Sequence, residues 1–364
     1  MLASHRHTAS FGREGAAWVG GLPRLSASAH ASQPHTSYRH EAYHYAGENA
    51  FLRGTVPFVQ DGVAAGQPVM VALVPDRLEL LRKAVGERCA ERVHWVDMAD
   101  LGGNPARIIP AWREFVAESG AGGRPLRGVG EPVWAGRRPA EVNECQLHES
   151  LLNLAVEPDT ALWLRCPYDV SALSAEVVEE AARSHPVLVD GDRYRGSTLY
   201  GGAAHAADMF ERPLPEPDLH PDIVDGATVT RLEEWSFRRT TQAHPPEAAR
   251  DIARLRRKVL RRATDAGLST ERAFEMGLAT TEAMTNSVRH AGGRGVLRIW
   301  QDAEGLTCEV RDGGHIDDPM AGRRMPPSSD TGGRGLMLVH LLSDLVQVRS
   351  SADEGSTVRI TNWL

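Results

Sequence analysis

Four prolines, Pro213, Pro215, Pro217 and Pro221, fall within ten residues and set the first limit on what this chain can become. Each removes a backbone N–H donor, so the segment cannot lie in a helix interior or a central strand and reads as a stiff spacer. A chain of 364 residues is long for one domain, and the spacer at 206–227 divides it into a first domain of about 37–205 and a second of 228–364. Residues 1–36 are rich in Ala, Ser, Gly and His without periodicity and read as a disordered tail.

In the first domain, short apolar runs alternate with helical spacing. Strand-like segments at 40–45, 69–74, 93–96, 162–166 and 187–189 are separated by helical ones at 48–65, 78–85, 108–116, 142–154 and 174–183. That alternation implies a mainly parallel sheet covered on both faces. The second domain has another order. A strand at 233–238 precedes an amphipathic helix at 247–266, with Ile252, Leu255, Val259 and Ala263 inward. Ser269 then caps a helix that carries Glu271 in its first turn and ends near Gly292-Gly293. Strands at 295–301 and 306–310 flank a hairpin turn, and a helix at 334–345 and strands at 346–350 and 357–363 follow. This predicts an α/β sandwich with a largely antiparallel sheet and helices on one face.

Bulk properties exclude several classes. The net charge of -7 gives no general reason to bind nucleic acid, and no helix-turn-helix pattern is present, so direct DNA binding is not expected. Cys89, Cys145, Cys166 and Cys308 are far apart and form no Cys-x-x-Cys pair, as for ordinary thiols in a reducing compartment. No apolar run approaches the ~20 residues that cross a bilayer, and no secretion signal opens the chain, so a cytoplasmic location without a membrane is expected.

Four short blocks near the C-terminus carry chemistry. Glu282, Asn286 and His290 are one helical turn apart and stack on one face, while Met276, Ala279, Ala283 and Ser287 can face the sheet. An amide oxygen suits magnesium and a carboxylate can deprotonate a hydroxyl, although a solvated polar face has the same composition. Asp312 ends a strand before Gly313-Gly314, as a turn former or as an acceptor for an adenine amine. Gly332-Gly333-Arg334-Gly335-Leu336 opens a helix, as a plain loop or as a phosphate cradle. Gly355-Ser356-Thr357 opens the last strand.

In order and spacing, the four blocks resemble the ATPase domain shared by histidine kinases, gyrase and the bacterial anti-sigma factor serine kinases, the Bergerat (GHKL) type. The match covers roughly 230–362 and is most similar to the anti-sigma kinases. The resemblance implies ATP and Mg2+ as cofactors. It makes Glu282 the general base, Asn286 the magnesium ligand and Asp312 the adenine reader. Gly314 would shape the base pocket, and Gly333, Arg334, Gly335 and Leu336 would line the phosphates. His290 would lie on the nucleotide side, Thr357 under the adenine, and 317–329 would be the lid. The family usually has a glycine where this chain has Ile316, which bears on turnover more than on binding. The resemblance further implies phosphorylation of a Ser or Thr on an anti-anti-sigma (STAS-type) partner, sequestration of a sigma factor, or both, in transcription regulation. A non-catalytic nucleotide-binding regulator is the alternative. A homodimer stays open. Arg250, Arg254, Arg256, Arg257, Lys258, Arg261 and Arg262 form a basic helix, read as a solvated face or as a dock for an acidic partner.

His40-Glu41-Ala42-Tyr43-His44 fits the zinc-protease pattern, but that mechanism needs a helix and this segment reads as a strand. With Val56-Pro57-Phe58, Val69–Pro75, Cys166-Pro167-Tyr168-Asp169 and His185-Pro186, it resembles the MEDS sensory domain of methanogen and methylotroph regulators. That resemblance implies a RecA-like core without a phosphate loop and a sensing role with a small-molecule ligand. Glu131, Trp134, Cys166, Tyr168 and His185 would line its pocket, or serve as core, buried thiol and turn.

Overall fold

A computed structural model describes residues 35–217, 230–238, 246–324 and 334–364. The expected tail through residue 34, the spacer at 218–229, the later part of the lid and Gly333 lie outside the described residues.

The first domain is built on a seven-stranded sheet. Its strands are β1 (Arg39–Tyr45), β2 (Val69–Leu73), β3 (Val93–Asp97), β4 (Leu126–Gly130), β5 (Leu162–Asp169), β6 (Val187–Asp190) and β7 (Arg193–Gly196), in the order β3-β2-β4-β5-β1-β6-β7. All pairings are parallel except β6 with β7 at the edge. Such strands need cover on both faces. On one face, Tyr43, Val71, Leu73 and Trp163 pack against α1 (Gly47–Ala64) and α2 (Pro75–Val85) through Phe51, Phe58, Val59 and Leu81. On the other, Ala42, Ala72, Leu164 and Cys166 meet α5 (Ile108–Ser119), α6 (Pro139–Ala155), α7 (Ala175–Ser184) and α8 (Gly202–Glu211). Two single turns, α3 (Glu87–Ala90) and α4 (Met98–Leu101), join these layers.

Two boundaries move. Residues 206–211 are not spacer but the end of α8, because Ala206 and Phe210, one turn apart, are both buried. His35 is not tail: its ring meets Trp163 edge-on and Nε2 lies 2.8 Å from the Leu126 carbonyl. The start of the proline segment is also not a free spacer. Glu216 pairs with Arg298 and Arg311, and Arg359 donates to the Pro215 carbonyl at 2.9 Å.

The second domain is an antiparallel five-stranded sheet. Its strands are β8 (Thr230–Arg238), β9 (Arg294–Gln301), β10 (Gly305–Asp312), β11 (Leu345–Ser351) and β12 (Gly355–Trp363), in the order β11-β12-β10-β9-β8. Helices α9 (Pro246–Asp265), α10 (Thr270–His290) and α11 (Arg334–Leu341) lie on one face. The pleat sends Leu297, Ile299, Leu306, Cys308, Val310, Val358 and Ile360 into that face, against Leu255, Val259, Met276, Ala279 and Ala283. Helix α11 stops at Leu341 rather than near 345, and Leu345 already pairs with Thr361 as the first residue of β11.

Candidate functional site

A cleft of about 540 Å³ opens between α10, the end of β10, the segment after it and α11. Ser269 fixes the start of α10: its Oγ accepts from the Arg272 N–H at 3.3 Å. From there the 3.6-residue period buries Met276, Ala279, Ala283 and Ser287 on the sheet and leaves Glu282 and Asn286 half-buried on the next face. Asn286 and His290 line the cleft.

Asp312 is held by both oxygens. Ser287 Oγ donates to Oδ2 at 2.5 Å and the Gly314 N–H donates to Oδ1 at 2.8 Å. A carboxylate has about four acceptor positions, so the one facing the cleft can still take a donor. Gly314 must be small, since a Cβ there would stand 2.7 Å from Ala291 Cβ. Gly355, at φ +80°, has no room for a Cβ against the Asp312 carbonyl, which lets β12 start tight against β10.

Gly335 brings the start of α11 to the acid–amide pair. A Cβ there would lie 3.2 Å from Glu282 Oε2 and 3.2 Å from Asn286 Oδ1. Helix N-termini present unpaired N–H groups and a positive dipole end. The cleft therefore combines an anion-favouring helix start, a carboxylate, a carboxamide and apolar walls from Ile316, Met320 and Leu336. Asn286 Oδ1 is a hard oxygen of the kind Mg2+ takes, and the bare backbone at Gly314 and Gly335 leaves space that any larger residue would fill. These residues fit a magnesium–nucleotide ligand.

The expected residues do not all share one wall. Glu282 stands behind Gly335 rather than on the cleft lining, and Arg334 is exposed outside it. Thr357 is displaced. Strand alternation turns Ser356 and Val358 to the cleft, and Thr357 falls on the opposite sheet face with Arg359. Three serines take part to which the motifs assigned no role at the site. Ser287 orients Asp312, Ser356 Oγ donates to the Gly314 carbonyl at 3.0 Å, and Ser350 Oγ takes the Ile316 N–H at 2.8 Å. Ile316 is thus pinned at its backbone and packed on the core.

The first domain reaches this cleft from behind. Asn104 Nδ2 donates to the His340 carbonyl at 2.9 Å, and Arg107 Nη2 donates to the Leu341 and Ser343 carbonyls at 2.8 and 3.1 Å. The His340 and Leu341 carbonyls end α11 and that of Ser343 follows two residues on, so the helix end is capped by another domain. Glu144 of α6 then accepts from Arg349 at 2.6 Å and from Arg323 at 3.3 Å, all three groups being buried. Arg323 follows the cleft-lining Gly322. Burial, followed by the Arg323 and Arg107 charges, holds the buried His340 imidazole well below its ordinary pKa, so it stays neutral.

Within the first domain the expected ligand residues separate. Glu131 pairs with Arg77, beside a cleft of about 480 Å³ at the carboxyl ends of β1 and β5 that Tyr45, Asp76, Arg77 and Asp169 help to line. Trp134 is covered by the Arg137 guanidinium at 3.7 Å. Cys166, Tyr168 and His185 lie together with Glu149 and His40. The His40–His44 segment is strand, and Glu41 points to the opposite face, where Arg165 holds it.

Residues 39–186 match the family model described as the methanogen/methylotroph, DcmR sensory domain (MEDS). Residues 245–362 match the histidine kinase-like ATPase domain. The chain thus joins a sensory domain to an ATPase domain of histidine kinase type. A comparison with curated proteins found no match. Among the described residues, no helix is long and apolar enough to cross a membrane.

Proposed function

We propose that the protein is a sensor-gated regulator that binds Mg-ATP and transfers the γ-phosphoryl group to a Ser or Thr of a separate partner. The observation that carries this reading is the seating of Gly335 against Glu282 and Asn286 at the start of a helix whose far end is capped by the first domain. Glu282 accepts the proton of the attacking hydroxyl, whose oxygen bonds to the γ-phosphorus while the bond to the β–γ bridging oxygen breaks and ADP leaves. Asn286 holds the Mg2+ that offsets the phosphate charge. Asp312 receives the adenine amine, and Ile316 and Leu336 exclude water from the base.

The partner class in this reading is an anti-anti-sigma protein of STAS type, with a sigma factor as a second target. Arg250, Arg254, Arg257 and Arg261 are exposed along α9 and offer a basic stripe for an acidic surface. A small molecule at the carboxyl edge of the first sheet supplies the signal, transmitted through the caps on α11.

A second reading, a nucleotide-binding regulator without turnover, is favoured by Ile316, whose fixed backbone and packed side chain stiffen the foot of the lid. Labelled ATP, Mg2+ and a candidate partner separate the two. Transfer to the partner that is lost in Glu282→Ala and Asn286→Ala supports the kinase. Nucleotide binding with no labelled partner under any condition supports the second reading.

A further inference from the structure

We propose that His40, Glu149, Cys166 and His185 bind one divalent ion of the zinc class inside the first domain. The four residues come from β1, α6, β5 and the α7–β6 junction, and none is more than 1% exposed. One donor atom from each lies within 4.8 Å of all the others. His40 Nε2 is 3.0 Å from Glu149 Oε2 and 3.3 Å from Cys166 Sγ, Cys166 Sγ is 3.6 Å from Glu149 Oε2, and His185 Nε2 is 3.5 Å from the same oxygen. Zinc bonds of ordinary length to nitrogen, oxygen and sulfur give a tetrahedron with edges of about 3.3–3.7 Å. Three of the four spacings fall in that range, and the His40–Glu149 edge is shorter by about 0.3 Å.

The surroundings fix which lone pairs face inward. His185 Nδ1 lies 2.8 Å from the Ala181 carbonyl, which can only accept, so that nitrogen carries the proton and Nε2 is bare. Asn153 Nδ2 donates to the Ser184 and Glu149 carbonyls at 2.7 and 3.1 Å, which turns its Oδ1 toward His40 Nδ1 at 3.0 Å. His40 Nδ1 is therefore the protonated nitrogen as well, and its Nε2 also points a lone pair at the carboxylate. Outer hydrogen bonds that set the histidine tautomer in this way are what metal-ligating histidines have. Tyr168 Oη donates to the other Glu149 oxygen at 3.4 Å. His185 Nε2 makes no hydrogen bond of acceptable geometry.

Two imidazole lone pairs and a carboxylate in a dry pocket repel one another unless a metal ion or a proton sits among them, and the Cys166 thiol, a weak donor to Glu149 Oε2, offsets this only in part. A mixed set of two nitrogens, one sulfur and one oxygen selects a borderline ion such as zinc over magnesium or calcium. Four protein ligands close the site, which makes it structural, tying two strands to two helical elements. Binding releases the Cys166 proton to solvent. The pattern His-Glu-x-x-His misdirects here: on a strand His44 lies about 13 Å along from His40, and it meets Asp190 instead.

The test uses the full chain, freed of metal by chelation and, where that unfolds it, refolded with the probe. The probe is Co2+. We expect one equivalent to bind with the ligand-field bands of a four-coordinate ion and a thiolate-to-cobalt charge-transfer band, both displaced by Zn2+. Cys166→Ser should lose the charge-transfer band, while Cys145→Ser, which removes another buried thiol, should keep it. If folded wild-type protein binds no cobalt, or binds it without the thiolate band, the proposal falls and the cluster is an imidazolium–carboxylate pair.

Discussion

In the first domain, Glu41 and Arg165 meet between a parallel sheet and α1, sealed from water, whereas in the second Glu282 and Asn286 stand half-buried beside a cleft. The difference follows from how each sheet is covered. A parallel sheet with helices on both faces has no wet side, so any charge on it must find a permanent partner inside. An antiparallel sheet with helices on one face leaves a gap where two helices diverge, and polar groups at its rim can await a ligand. The first arrangement suits a group that stays, the second a group that comes and goes.

The largest effect should come from breaking a sealed pair. Glu41→Ala leaves Arg165 buried without its carboxylate and should cost the first domain about 3–5 kcal/mol in urea unfolding. Glu282→Ala should cost under about 0.5 kcal/mol in the same measurement. Equal costs would erase the contrast between the two regions.

The interface between the domains comes next. Glu144→Gln removes the charge facing Arg323 and Arg349, two buried cations. It should cost about 3 kcal/mol and speed amide exchange in α11, although Glu144 lies outside the cleft lining. Unchanged exchange would mean that the caps on α11 do not depend on the clamp.

Gly335→Val tests the cleft itself. Its branched side chain would wedge between Glu282 and Asn286, and phosphoryl transfer should fall about 100-fold, or 2.7 kcal/mol in barrier, with little loss of stability. The smallest effect is that of pH. The folded pKa of His340 lies below its unfolded value, so its contribution to docking is complete above about pH 6.5. It weakens as pH falls below that, because the undocked imidazole takes up a proton that the docked one refuses. One proton limits the slope to about 1.4 kcal/mol per pH unit, and amide exchange of α11 across pH 5–7 would read it.

Much of this was legible in the chain. Ser269, the helical stack Glu282-Asn286-His290 and the alternation of Leu306, Cys308 and Val310 are local patterns, and local patterns are what periodicity records. Strand β4 was not, because Gly128 and Gly130 hide it. A Cβ at Gly128 would stand 2.6 Å from the Trp112 ring and one at Gly130 3.0 Å away, so these glycines make room for an indole distant in sequence. The facing of Thr357 depended on how Gly355 sets the register of β12, which spacing alone leaves undecided. The cluster around Glu149 had no local sign, because its members are scattered from His40 to His185 and meet only through the parallel sheet order.

The central claim is that the cleft beside Asn286 and Asp312 holds a magnesium nucleotide. Equilibrium dialysis of the full chain against labelled ATP with Mg2+ tests it most directly. The expected result is one nucleotide bound per chain, lost in Asp312→Ala and weakened when Mg2+ is chelated. Wild-type protein that retains no label at millimolar nucleotide, or an Asp312→Ala variant that binds as tightly as wild type, would contradict it.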